Sequence, residues 1–90
     1  MSTRDRLHDK LARAFPGSEL LDVVDESAAH AGHKASGEGG HFRVIIVSAA
    51  FEGLSRVERQ RRVYEALGSE IGTSVHALSM TCLTPGEYRH

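Results

Sequence analysis

Apolar residues at helical spacing open the chain and predict a helix over residues 4–15, which ends before Pro16 and Gly17. The residues of this apolar face are Leu7, Leu11, Ala14 and Phe15. Residues 20–26 and 41–48 are short runs rich in apolar and β-branched side chains, and each predicts a strand. Because one connection joins these two strands, we expect them to pair antiparallel.

The connection itself, residues 27–40, has a different composition. Alanine, glycine, histidine and serine dominate it, and it contains no large apolar residue. Loops of this length without regular structure are uncommon in small domains and are usually functional or disordered. We therefore expect a flexible loop with a functional role.

A second helix is predicted over residues 56–67. Ser55 and Glu58 have the spacing of a capping box, in which the serine caps the helix and the glutamate side chain reaches back. The expected apolar face consists of Val57, Tyr64, Leu67 and Ile71, with Val63 beside it. Gly68 interrupts the pattern, so residues 69–71 form either a final turn or a second short helix.

Alternating side chains predict a third strand over residues 74–83. Its more apolar set should face the core, and this set consists of His76, Leu78, Met80 and Cys82. His76 is therefore expected at the start of the core-facing side. Thr84, Pro85 and Glu87 have the spacing that begins a further, short helix.

The element order α-β-β-α-(α)-β-(α) predicts a single α+β domain over residues 1–90. A hairpin pair followed by a helical crossover to a third strand gives a mixed three-stranded sheet with helices on one face. Ninety residues make one small domain and leave little room for a deep substrate cavity.

Charge and cysteine content narrow the function. Eleven Lys and Arg against twelve Asp and Glu give a formal net charge of −1, which argues against strong non-specific binding of nucleic acid but allows a local basic patch. The single cysteine, Cys82, excludes an internal disulfide and fits a reducing compartment. Because we find no signal peptide and no apolar run that could span a bilayer, we expect a cytoplasmic protein with no membrane partner.

Three of the six histidines suggest metal chemistry. His30 and His33 lie in the glycine-flanked loop, and His76 lies near the start of the third strand. Neutral imidazole is a good ligand for iron, zinc and copper. Two such nitrogens do not make a closed structural zinc site, but an incomplete set suits a metal shared between two proteins. The alternatives are solvated loop histidines and a strand-end histidine without a special role.

Four groups of motifs, in order along nearly the whole chain, resemble the BolA family. They are VVDES at 23–27; HAGH at 30–33 with GHF at 40–42; FEGLSRV at 51–57 with RQR at 59–61 and VY at 63–64; and VHALS at 75–79 with LTPGE at 83–87. The resemblance implies a class II KH-like fold. Residues 51–54 lack the Gly-x-x-Gly loop of RNA-binding KH domains, so the fold does not imply RNA binding. Two positions depart from the family pattern: Gln60 replaces a histidine, and Gly40 replaces a threonine or serine.

The same resemblance implies a [2Fe–2S] cluster shared with a monothiol glutaredoxin, whose cysteine and bound glutathione supply thiolates. It implies His76 as one ligand and a loop histidine as the second, with His33 preferred over His30 on motif position. Replacing thiolate by histidine on one iron raises the reduction potential. The implied function is cluster trafficking, maturation of iron–sulfur proteins or iron homeostasis. The isolated protein is then expected without the cluster, as a monomer or a loose homodimer.

The second helix is rich in arginine. The residues are Arg56, Arg59, Arg61 and Arg62. Three roles are open for these arginines. They form a solvated helix face with ion pairs, they contact the glutaredoxin or its glutathione, or they contact DNA phosphates. The DNA alternative follows from BolA-like proteins described as transcription regulators, and the net charge predicts weak, salt-dependent binding. We expect no enzyme activity, because no phosphate loop or nucleophile constellation can be identified in the sequence.

Overall fold

The computed structural model describes residues 1–27 and 40–89. The helices are α1 (Thr3–Ala14), α2 (Arg56–Leu67) and α3 (Pro85–Tyr88), the strands are β1 (Leu20–Asp25), β2 (His41–Val47) and β3 (Ala77–Leu83), and two 3-10 turns cover Ala49–Phe51 and Gly68–Glu70. The expected flexible loop over 27–40 lies outside the described residues, apart from its two end residues, Ser27 and Gly40.

The three strands form one sheet in the order β1-β2-β3. β1 and β2 pair antiparallel, with Val23 opposite Val44. β2 and β3 pair parallel, with Val44 opposite Met80. The mixed sheet predicted from the element order is therefore confirmed, because the α2 crossover returns the chain to the side of β2 that β1 leaves free.

Helices α1 and α2 pack over one face of this sheet and enclose the core. Its buried apolar residues are Leu7, Leu11, Phe15, Val23, Phe42, Val44, Ile46, Phe51, Val63, Leu67 and Val75. The predicted face of α1 and the alternate residues of β2 supply most of this set, although Ala14 at the end of α1 is exposed. Leu78, Met80 and Cys82 of β3 are half-buried and pack against the core, as the alternation predicts.

The apolar face predicted for α2 is wrong at two positions. Val57 and Tyr64 are 55% and 43% exposed, whereas Val63 and Leu67, one turn apart, are fully buried. One turn before Val63 the inward position is occupied by Arg59, whose guanidinium lies 6.0 Å from the centre of a buried phenylalanine ring. The long arginine stem covers apolar surface there, so the buried stripe does not need Val57.

The predicted starts of α2 and α3 are confirmed by their capping hydrogen bonds. The Ser55 side chain accepts from the amide of Glu58, and the Glu58 carboxylate accepts from the amide of Ser55. Thr84 and Glu87 make the same reciprocal pair at the start of α3. Reciprocal capping satisfies amides that a helix start otherwise leaves unpaired, which is why such short sequence patterns predict helix starts well. Among the described residues, no helix has the length and apolar character needed to cross a membrane.

Candidate functional site

His76 lies immediately before β3. The strand begins at Ala77 rather than at residue 74, and the His76 side chain is exposed, so its prediction as the first residue of the core-facing set is wrong. The backbone amides of His76 and Ala77 both donate to the carbonyl of Gly40, at 2.8 and 3.0 Å. The Gly40 carbonyl is thus a shared acceptor that fixes the backbone on both sides of the His76 Cα atom, while the His76 side chain is exposed.

Gly40 is buried at the point where the chain enters β2, and it contacts both neighbouring segments. Its φ of +76° lies in the left-handed region that favours glycine. A Cβ atom built on Gly40 would lie 2.7 Å from the carbonyl oxygen of Ser74 and 3.0 Å from Cδ2 of the His76 ring. The missing side chain therefore allows the His76 ring to lie against the backbone of residue 40.

The hydroxyl of Ser27 holds the other side of this contact. Its Oγ accepts hydrogen bonds from the amides of Gly40 and His41, at 3.0 and 3.2 Å. The Ser27 amide in turn donates to the Asp25 carboxylate at 2.8 Å. The two residues that flank positions 28–39 are thus joined to each other directly beside His76.

A buried carboxylate supports the turn that leads into His76. Glu70 is 8% exposed, and it accepts hydrogen bonds from the Arg6 guanidinium and from the hydroxyl of Ser74. Lys10 lies 3.1 Å from the same carboxylate. The hydrogen bonds from Arg6 and Ser74 are the main reason why the pKa of Glu70 falls from 4.5 to about 2. The Glu70 backbone carbonyl also accepts from the amide of Val75, which connects this cluster to the entry of β3.

Of the predicted metal ligands, only His76 is among the described residues, because His30 and His33 both fall within 28–39. Residues 1–27 and 40–89 contain no group of three or more His, Cys, Asp or Glu side chains placed to hold a metal ion. Cys82 is half-buried on the core side of β3, and burial raises the pKa of its thiol to about 11. A protonated, half-buried thiol is a poor metal ligand, as expected for a packing residue.

The four arginines of α2 have different surroundings. Arg56, Arg61 and Arg62 are exposed. The side chain of Arg59 is only 14% exposed, and it donates to the carbonyls of Leu54 and Cys82, both at 3.0 Å. These bonds tie α2 to the preceding loop and to β3.

Arg59 also binds the carboxylate of Glu87 through two nitrogen atoms, at 2.7 and 3.3 Å, which links α2 to α3. This contact is the main reason why the pKa of Glu87 falls to about 2. The two hydrogen bonds to carbonyls and the ion pair all lie within the chain. Arg59 therefore has the contacts expected of a structural residue. A groove of about 380 Å³ adjoins it, between Arg56 and Gln60 of α2 and Met80 of β3.

The residues that position His76 were not recognised in the sequence. Ser27 and Gly40 stand inside motifs that resemble the family, but their joint contact depends on a hydrogen bond across 13 positions. Glu70 and Ser74 follow α2 in a segment predicted only as a turn or a strand start. The sequence signal that could have pointed to this region is a glycine at a loop–strand boundary, a position where glycine often serves a close backbone approach.

Comparison with known proteins agrees with the fold and with the motifs. A family model described as "BolA-like protein" matches residues 11–87. The human protein named "BolA-like protein 1" is 45% identical over 83 residues, which cover 92% of this chain but 58% of that protein. An Escherichia coli protein named "DNA-binding transcriptional regulator BolA" is 39% identical over 88 residues, covering 98% of this chain and 81% of that protein. This chain thus spans little more than half the length of its human relative.

A solved structure gives the same result at the level of the backbone. The BolA domain of SufE1 from Arabidopsis thaliana superposes with a TM-score of 0.83 at 40% sequence identity, covering 97% of this chain and 96% of that domain. The sheet order and helix placement described above are therefore those of a known domain type.

Proposed function

The chain belongs to the BolA family, and on that premise we propose that it binds a monothiol glutaredoxin and shares a [2Fe–2S] cluster with it. The proposed roles are trafficking of the cluster, maturation of iron–sulfur proteins and iron homeostasis. The observation that carries the proposal is the setting of His76, which is exposed next to β3 and lies against Gly40, the residue that follows the segment with His30 and His33.

The donor set fits a shared site better than a site of this protein's own. Within 1–27 and 40–89, His76 belongs to no group of three or more potential ligands. In the proposed cluster, each iron is bound by the two bridging sulfides and by two further ligands. His76 and one histidine from 28–39 would be the further ligands of one iron. The thiolates of glutaredoxin and glutathione would be those of the other. Histidine ligation makes such a cluster more oxidising than ligation by four cysteines.

This role needs no catalysis by the protein, and we propose that it is not an enzyme. The isolated protein would lack the cluster, because half of the ligands belong to the partner. A cytoplasmic or other reducing location fits the half-buried thiol of Cys82 and the thiolate chemistry of the proposed partner.

The test is anaerobic cluster reconstitution of a mixture with a monothiol glutaredoxin and glutathione, followed by visible circular dichroism. We expect a spectrum that differs from that of the glutaredoxin alone. It should be lost in His76→Ala and in either His33→Ala or His30→Ala, and it should be retained in His8→Ala, which removes a histidine from α1. A wild-type mixture with the spectrum of the glutaredoxin alone would refute the proposal for that partner.

DNA binding is a second candidate function, favoured by the exposed arginines of α2. Arg56, Arg61 and Arg62 are exposed on α2, and the Escherichia coli relative is named a DNA-binding transcriptional regulator. The proposed surface leaves out Arg59, because its guanidinium already binds the Cys82 carbonyl and the Glu87 carboxylate. In a titration of duplex DNA at two salt concentrations, Arg61→Ala combined with Arg62→Ala should weaken binding and reduce its salt dependence. His76→Ala should leave DNA binding unchanged, and the opposite pattern would reject the arginine surface.

A further inference from the structure

The outer edge of β3 is a candidate binding surface for another chain. β3 stands last in the strand order β1-β2-β3, so one of its sides has no neighbouring strand within residues 1–27 and 40–89. We infer that this edge and the groove beside it bind an extended, acidic peptide segment of a partner protein, which adds to the sheet as a further strand. Such binding is independent of the proposed cluster and can be tested on the protein alone.

The register of β3 shows which of its backbone groups point away from the sheet. The amide of Ala77 donates to the carbonyl of Gly40, which precedes β2. The carbonyl of Leu83 accepts from the amide of Ser48, which follows β2. In a parallel pair, residues that bond to the neighbouring strand alternate with residues that point the other way. The residues of β3 whose amides and carbonyls point to the outer edge are therefore Leu78, Met80 and Cys82.

The described part of the chain satisfies only one end of this edge. The Arg59 guanidinium donates to the Cys82 carbonyl at 3.0 Å, from the side on which an added strand would lie. No hydrogen bond from residues 1–27 or 40–89 reaches the backbone of Leu78 or Met80 from that side. The amide and the carbonyl of each residue thus remain available, in the alternation that an extended peptide matches. Arg59 marks the end of the open part.

The two outer edges of the sheet differ in a way that favours β3. Strand edges are usually protected against pairing by charged side chains, by proline or by covering groups. β1 carries Asp22 and Asp25. The Arg4 side chain also donates to the Val23 carbonyl of β1 at 2.9 Å. β3 has seven residues, ALSMTCL, with no charged residue and no proline, as expected of an edge that pairs with another chain.

The groove beside β3 sets the chemistry of the added segment. It has a volume of about 380 Å³ and lies between Met80 and the first turns of α2. Glu87, which also lines it, is paired with Arg59, whereas Arg56 forms no ion pair with any residue that the structure describes. The groove therefore carries one uncompensated positive charge, near the side chain of Gln60. A carboxylate of the bound segment would pair with Arg56.

The same groove is a poor match for nucleic acid. Single strands are bound by several cations along their backbone and by aromatic rings on which the bases stack. The lining of the groove includes one unpaired arginine and no aromatic side chain. A peptide strand instead bonds to the backbone groups of Leu78 and Met80, which carry no charge. The site is therefore assigned to a peptide.

The probe is a peptide of the length of β3 that alternates threonine and valine around one central glutamate. In nuclear magnetic resonance titrations, it should shift the amide signals of Leu78 and Met80 and slow their hydrogen exchange. The amides of β1 should keep their exchange rates. Shifts confined to β1, or no binding at millimolar peptide, would overturn the inference.

Two N-methylated forms of the peptide test whether it adds as a strand. Methylation of alternate residues removes the amide donors on one side of an extended chain and leaves the other side intact. One form should bind like the parent peptide, and the other should bind about tenfold more weakly, the effect of losing two hydrogen bonds. Equal binding by the two forms would exclude addition to the edge.

Arg56→Gln tests the preference for an acidic segment. With the wild-type protein, lysine in place of the peptide's glutamate should weaken binding about fivefold, the size expected for an exposed ion pair. The preference should vanish in Arg56→Gln. It should persist in Arg13→Gln, since the side chain of Arg13 is 79% exposed on α1 and does not line the groove. A preference that survives in Arg56→Gln would reject the acidic ligand.

The same spectra distinguish two other occupants of the edge. An oligothymidine that binds more tightly than the peptide and shifts Leu78 and Met80 would identify the groove as a nucleic-acid site. Shifts of these two amides that depend on protein concentration, without peptide, would show pairing with a second copy of the chain. Either result would overturn the assignment to a partner's peptide.

Discussion

Glu70→Gln tests whether the ion pairs of the buried Glu70 carboxylate, in the turn that leads to β3, stabilise the fold. The substitution keeps the shape of the side chain and removes its charge. In the wild-type protein the two carboxylate oxygens accept from Nε and Nη2 of Arg6, at 3.1 and 3.3 Å, and Lys10 lies 3.1 Å away. The substitution therefore weakens the contacts that join α1 to the turn after α2.

The expected size follows from the pKa and from the exposure of the partners. A carboxyl whose pKa falls from 4.5 to about 2 on folding contributes at most about 3 kcal/mol at neutral pH. The side chains of Arg6 and Lys10 are 40% and 36% exposed, so solvent screens the interaction. For Glu70→Gln we therefore expect a loss of about 1–2 kcal/mol in the free energy of unfolding at pH 7.

Urea unfolding at pH 7 and at pH 3 is the assay. Because folding lowers the pKa of Glu70, its contribution is complete above the unfolded value of 4.5 and disappears as the pH falls through about 2. The difference between wild type and Glu70→Gln should therefore shrink to about half between pH 7 and pH 3.

Glu65→Gln is the control, since it removes the same charge from an exposed position on α2. It should change stability by less than about 0.5 kcal/mol at both pH values. A Glu70→Gln variant as stable as this control at pH 7 would refute the reasoning. So would a loss of the same size at both pH values, because titration of the carboxylate could not then be its cause.

Three further predictions concern the packing around α2 and β3. Arg59→Ala should lower the free energy of unfolding by about 2–4 kcal/mol, because it leaves the Cys82 carbonyl and Glu87 without their partner; Arg61→Ala, on the exposed side, should stay within about 0.5 kcal/mol, and equal losses in urea would contradict the structural role of Arg59. Ser55→Ala should cost about 1 kcal/mol in the same assay through the lost helix cap, and a neutral result would count against the capping box. At pH 8 the Cys82 thiol should react with a disulfide reagent about a hundredfold more slowly than free cysteine, because its pKa is about 11; reaction at the rate of the urea-unfolded protein would show that the thiol is not protected.

Several features could be predicted from the sequence because they depend on neighbours within one turn or one strand. The capping box at Ser55 and the start of α3 at Thr84 each need only residues three positions apart. The buried sides of α1 and β2 follow from the periods of helix and strand. The mixed sheet followed from the kinds of connection, since an antiparallel pair and a helical crossover to a third strand permit few arrangements.

The predicted apolar face of α2 was wrong because the buried side of this helix cannot be determined from its local periodicity. The helix carries apolar residues on two sides, and only the packing against α1 and β3 decides which of them is buried. Arg59 replaces an apolar side chain in that packing because its stem covers an aromatic ring while its guanidinium reaches the Cys82 carbonyl and Glu87. A sequence pattern counts such an arginine as a surface residue.

The candidate site, too, could be predicted from the sequence only in part. His76 could be selected from the sequence through its motif, together with the chemistry that an imidazole offers to iron. Its exposure, the shared acceptor at Gly40 and the hydroxyl of Ser27 that holds this glycine came only from the tertiary structure. These contacts join residues that lie 13 positions apart, Ser27 and Gly40, and 36 positions apart, Gly40 and His76. A local pattern can specify which side chain is available, but the position of that side chain depends on strands that meet only when the sheet has formed.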